Sequence, residues 1–330
     1  MANYLTPGKL EGLRSISNDR GVVAALALDQ RGILRKAIAR EMQVDDVPAS
    51  TVEAFKKAVT GTLTHYASAI LLDPEYGLHA AECRNSTGLL LAYERSSYDA
   101  APPRLPFLYD LWSVRRMKNA GANCIKVLLH YTPFEDSTIN DLKKAWVERV
   151  GDECLANDIP FVLELLGYDM HGNEKGTDYA KIKPEIVARS IEEFSKDQYA
   201  VDLLKIEVPV QMPFVAGTRY FTGQEVYTSS VAQRHFLATA SATDKPFVYL
   251  SAGVSNEQFI EMLEFAAESG SRFNGVLCGR AIWQDGIAVF AQHGASGLDR
   301  WLNTSGKENI MQVNSALSGA KPWFCQPGFS

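Results

Sequence analysis

The chain has 330 residues, of which 46% are hydrophobic and 22% are charged, an ordinary balance for a soluble globular protein. Its formal net charge of −6 gives no electrostatic reason to expect nucleic acid or an anionic membrane as a partner. No apolar run approaches the ~20 residues of a membrane span, and the N-terminus lacks the apolar core of a signal peptide. We therefore expect a cytoplasmic protein.

Apolar segments typical of buried strands alternate with amphipathic segments typical of helices along nearly the whole chain. Eight strands are predicted, at Val22–Asp29, Ala67–Asp73, Gly88–Tyr93, Cys124–His130, Phe161–Gly167, Val201–Val208, Phe247–Ala252 and Gly275–Arg280. Helices are predicted between them at Thr51–His65, Leu111–Ala120, Ile139–Asn157, Pro184–Asp197, Gln224–Ala240 and Asn256–Ser269.

Strand-then-helix units repeated eight times over roughly 260 residues are typical of a TIM (β/α)8 barrel. An open doubly wound sheet is the alternative, but no G-x-G-x-x-G turn follows the first strand. We predict one α/β domain over residues 1–330, with the barrel core at about 22–300 and a C-terminal extension at 303–330. Aromatic residues in the extension (Trp323, Phe324 and Phe329) suggest that it packs against another part of the protein.

TIM-barrel active sites lie at the C-terminal ends of the strands, on the loops that follow. The longer loops should therefore surround the site. They are predicted at Glu94–Arg104, Tyr168–Lys183 and Gln211–Gly223.

One predicted strand carries a lysine in its middle. The segment V-D-L-L-K-I-E-V-P, which ends at Pro209, is otherwise apolar enough to be buried on both faces. Ammonium groups are rarely buried unless they are paired or used, because desolvating a charge is costly. Burial favours the neutral amine, which attacks carbonyl groups. Lys205 is therefore a candidate nucleophile.

Side chains alternate between the two faces of a strand, which assigns further charged residues to the barrel interior. The apolar set of each strand should pack on the helices, so the opposite set should face inward. This set contains two lysines and three carboxylates, Lys126, Lys205, Asp29, Glu164 and Glu207. A buried ion-pair network without a chemical role is the alternative, but such clusters are doubtful stabilisers, so a functional role is favoured.

The ends of the seventh and eighth strands predict an anion site. Loops at these positions commonly hold phosphate in TIM barrels. Glycine backbone, hydroxyl and guanidinium groups there are supplied by Ser251, Gly253, Gly279 and Arg280. Ser255 and Gln258 could form a capping box whose helix points its positive end at the site. Ordinary loop glycines with a surface arginine are the alternative.

Metal-dependent chemistry is not indicated. The six histidines form no H-x-H or H-E-x-x-H pattern, and only His130 and His79 could reach the mouth of the barrel. His130 is interpreted as a hydrogen-bonding residue, and Asp73 mainly as a turn former before Pro74, with a site role as the alternative. The five cysteines form no C-x-x-C pair and are expected to be free thiols.

Six segments in order resemble the bacterial class I tagatose-bisphosphate aldolases. They are A-L-D-Q-R-G, S-A-I-L-L-D-P-E-Y-G-L, G-L-L-L-A-Y-E, L-K-I-E-V-P, Y-L-S-A-G-V and G-V-L-C-G-R-A. The resemblance extends from about Val22 to Trp323, and it is weaker to class I fructose-bisphosphate aldolases and sulfosugar-phosphate aldolases. It implies cleavage of D-tagatose 1,6-bisphosphate to dihydroxyacetone phosphate and D-glyceraldehyde 3-phosphate, in lactose and galactose catabolism, without a metal or organic cofactor.

The resemblance also implies roles for individual residues. Lys205 corresponds to the Schiff-base lysine, Glu164 to the acid/base glutamate, and Lys126 to the lysine that supports the site's electrostatics. Asp29 corresponds to the carboxylate beside the substrate hydroxyls. The C1-phosphate cradle corresponds to Ser251, Gly253, Gly279 and Arg280. Gln30 and Arg31 also match the family motif, either as substrate-binding residues or as structural neighbours.

Two other functions stay open at this point. The substrate could be another ketose bisphosphate, such as fructose 1,6-bisphosphate, or a sulfosugar phosphate. The chain could also be a sugar-phosphate sensor without catalysis, although a sensor needs no nucleophilic lysine. The sequence does not distinguish a monomer from a homo-oligomer.

Overall fold

Eight parallel strands close into a barrel in the computed structural model, which describes residues 5–95 and 103–327. The strands are β1 (Val23–Ala27), β2 (Ala69–Leu72), β3 (Gly88–Ala92), β4 (Cys124–His130), β5 (Phe161–Leu166), β6 (Leu203–Ile206), β7 (Phe247–Leu250) and β8 (Gly275–Cys278). Consecutive strands are neighbours, and β1 pairs with β8 to close the ring. The predicted TIM barrel and all eight predicted strands are confirmed.

Eleven α-helices accompany these strands in the described ranges. They are α1 (Pro7–Ser15), α2 (Gly32–Glu41), α3 (Ala49–Leu63), α4 (Val114–Asn119), α5 (Ser137–Ala156), α6 (Thr177–Phe194), α7 (Ser229–Ser241), α8 (Asn256–Glu268), α9 (Arg280–Trp283), α10 (Gly286–Trp301) and α11 (Lys307–Ala316). The six predicted helices correspond to α3 through α8. Helix α2 was not predicted from the sequence. Its pattern does indicate a helix, because the buried side chains Leu34, Ile38 and Ala39 share one helical face.

The second strand-to-strand connection, for which no helix was predicted, contains no α-helix among its residues, all of which the structure describes. Only a 3₁₀ turn, Ala80–Cys83, forms between β2 and β3. Pro74 and Gly77 lie early in this short connection, and both residues oppose helix formation.

Helix α6 begins seven residues before the predicted start at Pro184, which therefore lies inside the helix. Proline has no N–H, so the carbonyl of Ala180, four residues earlier, receives no helical hydrogen bond from it. The hydroxyl of Tyr227 donates to that carbonyl instead. This tertiary contact explains why the helix continues through a residue that normally begins or breaks one.

The strands separate two apolar layers, as the alternation of side chains predicted. An inner cluster fills the barrel, and it includes Val23, Ala25, Ala27, Leu203 and Leu277. A larger outer cluster lies between the strands and the helices and includes Leu204, Ile206, Leu163 and Val127. Gly275 opens β8 with φ +134°, and a Cβ there would overlap the carbonyl oxygen of Val23. Only glycine allows β8 to begin beside β1.

The N-terminal end of the barrel is closed by α1 and by the C-terminal extension. Trp323 is buried with the inner cluster, and its Nε1 donates to Ser17 Oγ at 2.9 Å. The Trp323 backbone N–H donates to the carbonyl of Gly21, directly before β1. The extension therefore packs on the end opposite the strand termini where a site is expected. Phe329, and residues 96–102 of the predicted Glu94–Arg104 loop, lie outside the described residues.

Across residues 5–95 and 103–327, no helix is both long and apolar enough to cross a membrane.

Candidate active site

A cavity of about 710 Å³ opens at the C-terminal ends of the strands. All nine residues proposed from the sequence for catalysis and substrate binding line it, namely Asp29, Gln30, Lys126, Glu164, Lys205, Ser251, Gly253, Gly279 and Arg280. The structure thus brings together side chains that are up to 251 positions apart in the chain.

Lys126 is the centre of the polar cluster in this cavity. Its side chain is fully buried inside the barrel. Its Nζ lies 2.8 Å from Asp29 Oδ2, 2.9 Å from Glu94 Oε1 and 2.7 Å from Glu164 Oε2. Burial opposes the charged form of an amine, but these three carboxylates outweigh burial and raise the pKa of Lys126 well above its usual value. Lys126 is therefore a permanent cation at neutral pH.

Glu164 joins Lys126 to Lys205. Its Oε2 lies 2.9 Å from Lys205 Nζ, and the register of β5 and β6 makes Glu164 and Lys205 direct neighbours. Burial favours the neutral carboxyl, yet the two lysines hold the pKa of Glu164 below its usual value. The pKa of Asp29 is also well below its usual range, because Lys126 and Lys205 outweigh the effect of burial. Both carboxylates are therefore ionised and able to accept a proton.

The cluster has two further members: Glu94, which the sequence analysis did not single out, and Arg31, which it named only as a match to the family motif. Glu94 follows β3, lines the cavity and pairs with Lys126, and Arg31 Nη2 donates to Glu94 Oε1 at 3.1 Å. The alternation rule would have found Glu94, since Leu90 and Ala92 on the same face belong to the inner cluster. Arg31 follows β1 in a loop, where alternation makes no prediction. Its guanidinium is buried and fixes the loop after β1 to the end of β3.

The loops after β7 and β8 bring the residues of the predicted cradle together. Gly253 has φ +79°, and a Cβ at this position would lie 2.6 Å from Cζ of Arg280. The guanidinium therefore lies directly against the Gly253 backbone. Ser251 is buried beside them, and Ser255 and Gln258 form the predicted capping box at the start of α8. Backbone N–H groups, a hydroxyl and a guanidinium are donors suited to a phosphate.

Glu207 does not join the Lys126 cluster, although alternation placed it on the same face as Lys205. It lines the cavity wall, where it pairs with Lys183 at 3.2 Å and accepts a hydrogen bond from the Gly167 N–H at 2.8 Å. Glu207 lies just beyond β6, which ends at Ile206.

His130 lies at the cavity, and Asp73 forms the turn predicted for it. His130 lines the cavity, and burial together with Arg104 lowers its pKa to about 4, so the imidazole is neutral at pH 7. Asp73 Oδ1 accepts from the Tyr76 N–H at 2.8 Å, as a turn-forming residue does. The other Asp73 oxygen pairs with Lys56, a buried lysine of α3 that the sequence did not single out.

Groups of three or more histidine, cysteine or acidic residues with the geometry of a metal site do not occur among the described residues. All five cysteines are free thiols, as predicted.

Buried lysines in contact with carboxylates, beside hydrogen-bond donors suited to a phosphate at the mouth of a TIM barrel, define a class of site suited to amine attack on a phosphorylated carbonyl compound. The sequence model of the DeoC/LacD family aldolases matches residues 23–285 of this chain. The chain belongs to this aldolase family.

Several curated relatives are similar along nearly the whole chain. Tagatose 1,6-diphosphate aldolase 1 of Enterococcus faecalis is 49% identical over 312 residues, or 94% of each chain. Tagatose 1,6-diphosphate aldolase of Listeria innocua is 46% identical over 328 residues, which are 98% of this chain and 96% of the relative. Fructose-bisphosphate aldolase from Plasmodium falciparum, solved with TRAP and a small-molecule inhibitor, covers 97% of each chain at a TM-score of 0.68. Because the two sequences are only 13% identical, this likeness shows the fold alone.

Proposed function

We propose that this protein is a class I aldolase that cleaves D-tagatose 1,6-bisphosphate to dihydroxyacetone phosphate and D-glyceraldehyde 3-phosphate. The names of the relatives support the substrate. The observation that carries the mechanism is the row Lys126–Glu164–Lys205, in which one carboxylate contacts both lysines at hydrogen-bond distance.

Imine formation begins at Lys205. Glu164, 2.9 Å from Lys205 Nζ, takes a proton from the ammonium and leaves a neutral amine. The amine lone pair attacks C2 of the ketose, and the former carbonyl oxygen leaves as water after it receives one proton from the attacking nitrogen and one from Glu164. The product is a protonated imine whose positive nitrogen withdraws electrons from C3.

Cleavage of the C3–C4 bond follows. The C4 hydroxyl passes its proton to Glu164 or Asp29, the C4–O bond becomes a carbonyl, and the bonding electron pair forms the enamine at C3. Lys126 contacts both carboxylates and keeps them ionised until they receive that proton. The enamine is then protonated at C3, and water hydrolyses the imine to release dihydroxyacetone phosphate.

The two phosphates require cations at separate places in the cavity. Ser251, Gly253, Gly279 and Arg280 supply donors for the C1 phosphate, on the loops that flank β7 and β8. Lys36 and Arg95 also line the cavity and are suited to the second phosphate. Gln30 also lines the cavity and offers an amide for substrate hydroxyls or phosphate.

A cleavage assay tests this function. D-Tagatose 1,6-bisphosphate, fructose 1,6-bisphosphate and a sulfosugar phosphate are supplied separately, and triose phosphate release is coupled to NADH oxidation. We expect efficient release from the tagatose compound and none by Lys205→Met. Lys144→Met, a surface change in the same residue type, should match the wild type. Release from the sulfosugar phosphate alone would contradict the proposed substrate, and tight binding of every compound without release would indicate a sensor.

A further inference from the structure

Glu94 has one carboxylate oxygen that the cluster does not use. Its Oε1 accepts hydrogen bonds from Lys126 at 2.9 Å and Arg31 at 3.1 Å. Its Oε2 is buried and has no hydrogen-bond partner within residues 5–95 and 103–327. The residue is only 3% exposed, yet it lines the cavity. A buried acceptor without a hydrogen bond costs free energy. An oxygen held in this state suggests that a ligand supplies the missing hydrogen-bond donor.

The carboxylate is held in place by its backbone as well as by its ion pairs. Glu94 pairs with Leu108 in an antiparallel bridge beyond the end of β3. Arg31 Nη1 donates to the Glu94 carbonyl at 2.6 Å and to the Tyr109 hydroxyl at 2.9 Å. Oε2 therefore has a fixed position, as a group that orients a substrate requires.

The strand order indicates which part of the substrate is near Glu94. Around the barrel, β3 lies four strands from β7 in either direction. The C1-phosphate cradle follows β7 and β8, and Lys205, which binds C2, is on β6. A ketose that extends from the cradle past Lys205 therefore directs its remaining carbons toward the β3 side. That half becomes the aldehyde product.

We propose that Glu94 Oε2 accepts a hydrogen bond from the C5 hydroxyl of the ketose, which is the C2 hydroxyl of glyceraldehyde 3-phosphate. This inference rests on the proposed function. The C4 hydroxyl is already engaged by Glu164 or Asp29, which share Lys126 with Glu94, so the next donor along the carbon chain is that of C5. Glu94 is then a substrate-binding residue for the aldehyde half.

The test compares two aldehydes in the condensation direction. Wild type and Glu94→Gln are each supplied with dihydroxyacetone phosphate and either glyceraldehyde 3-phosphate or 3-oxopropyl phosphate, which lacks the hydroxyl. Hydrogen bonds to a charged acceptor correspond to a preference of about 10- to 100-fold, which we expect in the wild-type kcat/KM. In Glu94→Gln the amide oxygen should take the Oε1 position facing Lys126 and Arg31. An NH₂ group then replaces Oε2, and the preference should fall about tenfold.

A ratio of two aldehydes on one preparation does not depend on the fraction of folded enzyme. Tyr109→Phe is the matched control, because it removes a partner of Arg31 but leaves the Glu94 carboxylate, and its ratio should equal that of the wild type. If Glu94→Gln slows both condensations equally, Glu94 acts only through its cations and the inference is overturned. If the wild type condenses neither aldehyde, the proposed function fails, and this inference fails with it.

Discussion

Lys126 shows how one buried cation organises a polar interior. Three carboxylates, from β5 and from the ends of β1 and β3, approach its Nζ, and each would lose a cationic partner without it. Removing one partner of a buried ionic cluster is far more damaging than removing a surface pair, because the remaining charges are left uncompensated. The contribution of Lys126 should therefore be measurable in stability as well as in turnover.

Lys126→Met should lower the free energy of unfolding by about 3–5 kcal/mol. It should also reduce cleavage strongly, since Asp29 and Glu164 lose the cation that keeps them ionised. Urea denaturation followed by circular dichroism measures the first effect. Lys144→Met, which removes a 3.5 Å surface pair with Asp141, should change stability by less than about 1 kcal/mol. Equal effects of the two substitutions would contradict the assignment.

The dependence of the free energy of unfolding on acidic pH tests the charge state of Asp29. Its pKa is lower in the folded protein than the unfolded value of about 3.9. The group therefore stabilises the fold at pH values above about 4, and this contribution is lost as the pH falls below that value. In urea denaturation between pH 6 and pH 3, Asp29→Asn should lose stability less steeply than the wild type, by up to about 1.4 kcal/mol per pH unit. Parallel curves would mean that Asp29 is not held ionised.

At the scale of elements, the two ends of the barrel have different tasks. The loops after β7 and β8 bring Gly253 and Arg280 into contact at the open end. Helix α1 and the C-terminal extension cover the other end with Trp323. Substitutions at the open end should change ligand binding, whereas substitutions at the covered end should change stability.

Gly253→Ala should weaken binding of dihydroxyacetone phosphate by at least about tenfold, because the methyl group displaces the Arg280 guanidinium. Fluorescence titration or the KM for condensation measures this loss. Gly223→Ala separates backbone strain from the clash, since Gly223 has a similar φ of +87° but no atom within 4 Å of its added Cβ. Comparable weakening in both variants would argue against the cradle.

Trp323→Ala should lower the free energy of unfolding by about 3–5 kcal/mol and leave the KM of the folded enzyme unchanged. The side chain is buried in the inner cluster at the end away from the cavity. Thermal unfolding and steady-state kinetics below the transition provide the two readouts. Phe324→Ala, a neighbour that is half exposed, should be less destabilising. A large change in KM without a change in stability would show that the extension reaches the active site.

Alternation along buried strands accounts for most of what the sequence could reveal. It identified Lys126, Glu164 and Lys205, because each lies within a regular strand. It did not assign Arg31, whose buried contacts depend on the path of a loop, or Lys56, whose partner Asp73 comes from another element. The course of α6 through Pro184 depends on a hydroxyl from Tyr227, a tertiary contact that local propensity does not contain.

At the scale of the whole molecule, barrel closure converts eight short strands into one convergent site. Most of the strands, with the loops that follow them, contribute polar side chains near their C-terminal ends, and a closed ring aims these side chains at the same cavity. The apolar layers on both sides of the strands supply the stability that an ionic interior does not. The central claim is that this arrangement makes Lys205 a nucleophile.

Borohydride trapping tests that claim most directly. The protein is incubated with dihydroxyacetone phosphate, reduced with sodium borohydride, digested, and mapped by mass spectrometry. We predict one stable adduct, on Lys205, and no adduct in Lys205→Met under the same conditions. An active enzyme that forms no adduct, or forms it on Lys126 instead, would contradict the account.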